Sequence, residues 1–289
     1  MFEGFDLETV ELSEASLRVR HGGSGPPVLL LHGHPRTHAT WHRVAPLLAR
    51  THTVICPDLR GYGQSSKPLD TPDHSGMSKR ALARDMAELM MHFGHARFAV
   101  VGHDRGSYVA FRLALDHPAR VSHLAFLGQV PIGEALERAN ERFARLWWHW
   151  FFFAQPTKPE RAILADPDAW YGNTPQKQAQ MGEDAYADYR AAVHDAATVH
   201  AMLEDYRAGL GIDRQHDMTD RQAGHTVQCP TLVLWPTQDD PEPLYDDILA
   251  IWRPWAAVLR GQGIQSGHHM AEEVPDELAA IVLEFLDES

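Results

Sequence analysis

A run of apolar residues that enters a glycine-flanked turn, and then a helix, constrains this chain more than any other feature. Residues 98–101 are apolar, Gly102-His103-Asp104-Arg105-Gly106 follows at once, and residues 107–116 have the pattern of a helix. Glycines two positions before and after Asp104 let the backbone turn sharply and hold that side chain in a strained position. A carboxylate held in this way can displace a leaving group from saturated carbon and form an ester. The stretch therefore predicts a strand, a sharp turn and a helix, with Asp104 as a nucleophile.

Composition and charge exclude several classes of protein. The 289 residues are 44% hydrophobic and 22% charged, which is typical of a globular protein. The formal net charge of −13 argues against nucleic acid and acidic membrane surfaces as partners. No apolar run approaches the ~18 residues of a membrane span, and the acidic N-terminus lacks a secretory pattern. Cys56 and Cys229 lie in apolar runs that suit buried thiols, so we expect a cytoplasmic protein.

Strand-like and helical patterns alternate along most of the chain. Apolar runs of strand length occur at 27–31, 53–56, 121–127, 230–235 and 257–259, and residues 16–20 alternate like an edge strand. Helical patterns occupy 44–50, 78–93, about 245–252 and 275–286, the second with Ser78 as its N-cap. This alternation predicts an α/β fold with a mostly parallel sheet flanked by helices.

The pattern changes from Gly128 to about Gly224, where the chain is helical and aromatic and lacks strand-like runs. A helical insertion at this point would cover the nucleophile and exclude water, as a lid does. We therefore predict a core domain of residues 1–128 and 225–289, interrupted by a helical cap of residues 129–224. No cofactor is expected, and the natural partner of such a site is a small-molecule substrate.

A nucleophilic carboxylate needs a base that activates water against the resulting ester, and an acid that orients the base. His268 follows Ser266-Gly267, after the last predicted strand and before the final helix, and is our candidate base. Its neighbour His269 is expected to point away. The candidate acid is Asp239, which follows the strand ending at Trp235, and Asp240 is the alternative one position later.

A second constellation of polar residues follows the apolar run at 27–31. Gly33 would allow the backbone to approach a ligand closely, and Pro35 would stiffen the exit. The spacing of His32, His34 and His38 also resembles a metal site. Because the Asp-His pair of such motifs is missing, we expect no metal here.

The chain from residue 29 to residue 273 resembles the fluoroacetate and haloacetate dehalogenases, a branch of the α/β-hydrolases. The matching motifs are DLRGYG at 58–63, SSKP at 65–68, GHDRG at 102–106, ALDHP at 114–118, HW at 149–150, DYRAG at 205–209 and SGH at 266–268. We interpret the glycine-rich motif that begins at Asp58 as structural. The resemblance implies a homodimer.

The resemblance also implies a role for individual residues. Asp104 matches the nucleophile and His268 the base, while Arg105 matches an arginine that holds the substrate carboxylate, a task for which a guanidinium can offer two donors. The halide would be received by His149, Trp150 and Tyr206, whose N–H and O–H groups stabilise developing negative charge. The backbone N–H groups of His34 and Arg105 would form the oxyanion hole.

Two positions depart from the family pattern. Tyr108 stands where the family has a second arginine, so the site should hold a small carboxylate less tightly, and Tyr108 can instead donate a hydrogen bond. Gly128 stands where the family has its orienting aspartate, and Asp239 can replace that group from a neighbouring strand. The alternative activity is epoxide hydrolysis, for which Tyr108 and Tyr206 would protonate the ring oxygen. A non-catalytic binding protein is disfavoured because nucleophile, base and acid are all present.

Overall fold

The computed structural model describes residues 1–128, 130–239 and 244–288. The strands in these ranges are β1 (Asp6–Glu11), β2 (Ser16–Gly23), β3 (Pro27–Leu31), β4 (Thr53–Pro57), β5 (Phe98–His103), β6 (Val121–Leu127), β7 (Thr231–Pro236) and β8 (Leu259–Ile264). They form one sheet in the order β1-β2-β4-β3-β5-β6-β7-β8, in which β1 and β2, and β2 and β4, are antiparallel and all other pairs are parallel.

Helices cover both faces of this sheet, and a further group is inserted between β6 and β7. The helices around the sheet are α1 (Ala45–Leu48), α2 (Lys79–His92), α3 (Arg105–Asp116), α13 (Ile248–Trp252), α14 (Met270–Glu273) and α15 (Pro275–Leu286). The inserted helices are α4 (Ile132–Glu137), α5 (Glu141–Leu146), α6 (Trp148–Phe153), α7 (Lys158–Ala165), α8 (Pro167–Trp170), α9 (Pro175–Met181), α10 (Glu183–His194), α11 (Ala196–Ala208) and α12 (Arg214–Ala223). A short π-helix, Gly209–Asp213, joins α11 to α12.

The central strands are apolar on both faces because helices cover both. Along β3, Val28 and Leu30 belong to one buried cluster, whereas Leu29 and Leu31 belong to the cluster on the opposite face. The N-cap prediction for α2 is confirmed, since the Ser78 side chain accepts a hydrogen bond from the backbone N–H of Ala81. The predicted fold class is therefore confirmed, including the helical insertion. The limits of core and cap, 128/129 and 224/225, remain a prediction.

Local predictions at both ends of the sheet were wrong. Residues 16–20 belong to β2, which is paired on both sides, and β1 is the edge strand. The last strand is β8 and not residues 257–259. The sequence prediction missed it because glycines and polar residues alternate along β8 and mask the apolar pattern of a strand. The helices predicted at 44–50 and 245–252 are shorter, and Asp247 caps the second of them by accepting from the N–H of Ala250. None of the helices in the described ranges is both long and apolar enough to cross a membrane.

Candidate active site

The turn between β5 and α3 holds Asp104 in a conformation that side chains rarely adopt, with φ 51° and ψ −122°. The flanking glycines make this turn possible. A Cβ atom at Gly106 would lie 2.3 Å from the carbonyl oxygen of His32, and one at Gly102 would lie 2.4 Å from the carbonyl oxygen of Gly106. The strand, sharp turn and helix predicted from the sequence are therefore present, and the turn lies at the carboxyl edge of the parallel strands.

One oxygen of the Asp104 carboxylate is held by the backbone. Its Oδ1 atom accepts a hydrogen bond of 2.7 Å from the N–H of His34. Burial alone would raise the pKa of Asp104, but the positive charges around it, that of His268 foremost, hold this pKa below its usual value. Asp104 is therefore ionised, as a nucleophile must be, and Oδ2 is the oxygen that faces His268.

The structure brings together the three residues predicted to act as nucleophile, base and acid. Nδ1 of His268 lies 2.8 Å from Oδ2 of Asp239, and Nε2 lies 3.7 Å from Oδ2 of Asp104. Burial opposes protonation of His268, but the hydrogen bond with Asp239 and the charges of Asp104 and Asp239 outweigh it and raise the pKa of the imidazole. In the ester that the resemblance implies, the charge of Asp104 would be lost, so this pKa would fall and His268 could act as a base. Asp240, the alternative acid, lies outside the described residues.

Two further residues fix the loop that carries His268, and neither was identified from the sequence. Nε2 of His103 donates a hydrogen bond of 2.7 Å to the carbonyl oxygen of His268. Burial lowers the pKa of His103 to about 4, so its ring is a neutral donor. The Glu273 carboxylate accepts from the backbone N–H groups of Gly267 and His269 at 2.7 Å and 3.1 Å. Only the position of His103, directly before Asp104, could have indicated its importance.

A cavity of about 260 Å³ lies over Asp104, between the sheet and the inserted helices. It is lined by His34, Pro35, Asp104, Tyr108, Trp147, His149, Trp150, Tyr206, Asp239, His268 and His269. The three residues predicted to receive a halide therefore line the same cavity as the predicted nucleophile. Burial lowers the pKa of His149 to about 4 and raises the pKa of Tyr206 well above its usual value, so both are neutral and can donate hydrogen bonds. The expectation that His269 points away was wrong, since it lines this cavity.

The structure corrects the prediction that Arg105 holds a carboxylate by two donors. Its Nε donates to Oδ1 of Asp205 at 2.8 Å, and its Nη2 donates to the same carboxylate and, at 2.9 Å, to the carbonyl oxygen of Asp205. Nη1 alone has no hydrogen-bonding partner within the described chain. The guanidinium is 1% exposed and lies 4.3 Å from the centre of the Tyr206 ring. Arg105 is not among the residues that line the cavity, and the rings of Tyr108, Trp150 and Tyr206, which do line it, pack against its guanidinium.

Asp205 joins the cap to the core through a buried charge network that the sequence did not reveal. Besides Arg105, its carboxylate accepts from Nζ of Lys79 and, at 2.9 Å, from the hydroxyl of Tyr62. Burial alone would raise the pKa of Asp205, but the positive charges of Arg105 and Lys79 hold it at about 2. Because Tyr206 follows Asp205 on α11, the network also fixes where that tyrosine enters the cavity.

Removal of the Asp205 charge should therefore destabilise the protein. Asp205→Asn leaves the buried cations of Arg105 and Lys79 without their shared partner, and we expect the free energy of unfolding in urea to fall by about 3 kcal/mol or more. Glu141→Gln is the matched control, because Glu141 and Arg145 form an ion pair in which both side chains are exposed. That variant should change the free energy by less than about 1 kcal/mol. Equal effects of the two substitutions would contradict the importance of the network.

The three histidines considered as a metal site do not act together. Nδ1 of His32 donates to the carbonyl oxygen of Gly33, and its Nε2 accepts from the backbone N–H of Leu59. The ring of His38 instead binds Oδ1 of Asp58 at 2.7 Å. Asp58 also accepts from the backbone N–H groups of His38 and Gln64, which agrees with a structural role for the glycine-rich loop. That the site uses no metal remains a prediction.

The two positions that depart from the family pattern both lie at the site. Tyr108 lines the cavity, and burial raises its pKa well above the usual value, so its hydroxyl stays protonated. A Cβ atom at Gly128 would lie 3.5 Å from Oγ of Ser107 and 4.0 Å from the backbone nitrogen of Asp104. Gly128 and His268 line one small cavity, so a carboxylate at position 128 has a route toward the base, although the φ of 158° at Gly128 strains any residue with a side chain.

This geometry predicts that an acid at position 128 can substitute for Asp239. If the enzyme works through the ester that the resemblance implies, Asp239→Asn should slow ester hydrolysis by about 10²- to 10⁴-fold, because the base loses its orienting partner, and should slow the first release of halide less. Gly128→Asp added to Asp239→Asn should restore part of the loss. A stopped-flow assay that resolves the halide burst from later turnover measures both steps. Loss of burst and turnover to the same extent would contradict an orienting role for Asp239.

The fold and the arrangement of carboxylate, imidazole and second carboxylate under a helical cap are those of a hydrolase. The family model for the α/β-hydrolase fold matches residues 26–273, and the chain belongs to this family.

It is 42% identical over 295 residues to a fluoroacetate dehalogenase from Burkholderia sp., with 100% of this chain and 96% of the relative covered. It is 30% identical to a soluble epoxide hydrolase from Corynebacterium sp. (strain C12), with 91% of each chain covered. A crystal structure from Nostoc sp. PCC 7120 matches with a TM-score of 0.95 and 41% identity over 100% of both chains. The protein is thus an enzyme related to dehalogenases and epoxide hydrolases.

Proposed function

We propose that this enzyme hydrolyses the carbon–halogen bond of a small 2-halo carboxylate through an alkyl ester on Asp104. The observation that carries the proposal is the shared cavity, in which Asp104 faces the base His268 and the three donors His149, Trp150 and Tyr206. The full-length similarity to a fluoroacetate dehalogenase supports the choice of substrate class.

In the first step, Oδ2 of Asp104 attacks the carbon that bears the halogen. The new C–O bond forms as the C–X bond breaks, and the halide departs with the bonding electron pair. Donors on His149, Trp150 and Tyr206 stabilise the charge where it develops, which lowers the barrier most for a basic leaving group such as fluoride. Arg105 packs against the rings of Tyr108, Trp150 and Tyr206, which line the cavity, so its charge would act on the substrate carboxylate through space. Tyr108 adds a neutral hydroxyl in the cavity wall.

In the second step, neutral His268 accepts a proton from a water molecule, which attacks the carbonyl carbon of the Asp104 ester. The charge that develops on Oδ1 is stabilised by the backbone N–H groups of His34 and Arg105, because the first already bonds that oxygen at 2.7 Å. The original Oδ2 atom leaves with the alkyl group and takes the proton held by His268, which gives the alcohol. The water oxygen stays in the Asp104 carboxyl group, which releases its remaining proton and returns to the carboxylate. Asp239 stabilises the imidazolium that forms at His268.

Epoxide hydrolysis is the second candidate, because two tyrosines line the same cavity as the nucleophile. Tyr108 and Tyr206 both line the cavity, and burial raises the pKa of each. When Asp104 opens an epoxide, negative charge develops on the ring oxygen. A pair of tyrosines can donate hydrogen bonds to that oxygen and supply the proton that it needs. The same ester chemistry at Asp104 would then yield a diol.

A substrate panel separates the two candidates. Halide release from fluoro-, chloro- and bromoacetate is compared with diol formation from several small epoxides, at equal enzyme concentration. Our proposal requires that a haloacetate has the largest kcat/KM in the panel. Efficient diol formation without halide release would replace it by the second candidate. A homodimeric state, a cytoplasmic location, and the absence of cofactor, nucleic-acid and membrane partners remain predictions.

A further inference from the structure

The ring of His34 is a buried polar group without a partner in the wall of the active-site cavity. The residue is 9% exposed, and neither Nδ1 nor Nε2 has a hydrogen-bonding partner among the residues that the structure describes. A buried donor or acceptor without a partner destabilises a fold, because the group has lost its hydrogen bonds to water. Such a group is expected where a bound ligand supplies the partner.

The position of the ring identifies which part of a ligand it meets. Its centre lies 5.4 Å from that of Phe153 and 5.3 Å from that of Tyr206, and it meets Tyr206 edge-on. The ring of His149 contacts the same two side chains, at 5.6 Å and 6.1 Å. His34 therefore belongs to the same wall as the leaving-group donors His149 and Tyr206. Rotation about its Cβ–Cγ bond turns either nitrogen without moving the backbone N–H that bonds Asp104.

The His34 ring is neutral, and this determines which hydrogen bonds it can make with a bound anion. Burial lowers the pKa of His34 to about 3, so at neutral pH one nitrogen carries a hydrogen and the other a lone pair. It can therefore donate one hydrogen bond to an anion and cannot supply a proton for complete transfer.

We propose that the His34 side chain is a fourth hydrogen-bond donor to the departing halide, beside His149, Trp150 and Tyr206. This inference rests on the proposed dehalogenation. The C–O bond to Asp104 forms and the C–X bond breaks as before, with the electron pair leaving on the halide. The His34 N–H only hydrogen-bonds that anion, and no proton is transferred. The backbone N–H of His34 serves the ester carbonyl, so one residue acts on both developing charges.

His34→Phe tests the inference because it keeps the backbone N–H and the ring packing and removes only the two nitrogens. Fluoride is more basic than bromide and depends more on hydrogen-bond donors, so the loss should depend on the halogen. We expect kcat/KM for fluoroacetate to fall by about 10-fold or more relative to that for bromoacetate. The melting temperature should be unchanged or higher, because a buried unpartnered polar group has been removed.

Tyr171→Phe is the matched control. The Tyr171 hydroxyl is also buried without a partner among the described residues, its ring lies 5.7 Å from that of His34, and it is not part of the cavity wall. This variant should leave the ratio of fluoroacetate to bromoacetate activity within about twofold of the wild type. If both variants shift the ratio equally, the effect comes from packing and the inference fails.

His34→Gln keeps an N–H donor and covers the case in which the phenylalanine variant does not fold. It should keep more of the fluoroacetate activity than a variant that lacks a donor, such as His34→Leu. An equal loss for fluoroacetate and bromoacetate in the folded variants would overturn the role of the His34 ring. Failure of the wild type to release halide from any substrate would instead overturn the proposed function.

Discussion

Asp104→Asn is expected to reduce halide release by about 10⁴-fold or more. The substituted amide keeps an oxygen that can accept the hydrogen bond from the His34 N–H, so the turn should be preserved. An amide oxygen is a far weaker nucleophile than a carboxylate, and it cannot form a stable ester with the substrate. The measurement is kcat/KM for bromoacetate, because bromide is the less basic leaving group and depends least on the hydrogen-bond donors of the cavity.

The melting temperature and the circular dichroism spectrum of Asp104→Asn provide the control. Both should match those of the wild type, because the variant changes one charge in a preformed turn. Retention of more than a few per cent of the activity in a correctly folded variant would show that Asp104 is not the nucleophile. Water would then have to attack the substrate directly.

His268→Asn is expected to stop the reaction after its first half. Displacement at Asp104 does not require a base, whereas hydrolysis of the ester requires a group that removes a proton from water. Each enzyme molecule should therefore release one halide and keep the alkyl group. Mass spectrometry of the intact protein should show one added alkyl group, and proteolysis should place it on the peptide that contains Asp104.

The double variant Asp104→Asn/His268→Asn is the control for non-specific alkylation and should gain no mass. An adduct on Cys56 or Cys229 would be recognised in the same digest, although both thiols are buried. Absence of an adduct from a folded His268→Asn variant would contradict the two-step account.

The predicted nucleophile, acid and base share a property: each follows directly from the pattern of strand ends. Asp104 lies at the turn after β5, Asp239 follows β7 and His268 follows β8, so the parallel sheet brings them to one edge. The prediction that His268 is the base did not depend on the exact position of the last strand. The base still lay between β8 and the final helix, although the strand begins at Leu259 rather than ending there.

What the sequence did not predict depends on contacts between distant segments. Arg105 and Asp205 are 100 positions apart, and no local pattern shows that the aspartate occupies the Nε and Nη2 donors of the guanidinium. The cavity-facing position of His269 depends on the path of the loop held by His103 and Glu273. A prediction from residue type and spacing places side chains at the site but does not determine which of their hydrogen-bonding groups are already occupied.

The arrangement around Arg105 has a consequence for affinity. Its charge is shared with Asp205, and Tyr108 provides no second cation, so the site is less positive than a site with two free arginines. Recognition of the substrate therefore depends on neutral donors and aromatic contacts more than on ion pairing. These features are also what makes an epoxide a credible alternative reactant for the same nucleophile.

A single turnover in water labelled with a heavy oxygen isotope tests the central claim most directly. With enzyme in excess over haloacetate, the account predicts that the first hydroxy acid product carries the ordinary oxygen from Asp104. The heavy oxygen should appear in the Asp104 carboxylate, where digestion and mass spectrometry can locate it. Heavy oxygen in the first product, with none in the Asp104 peptide, would contradict the account.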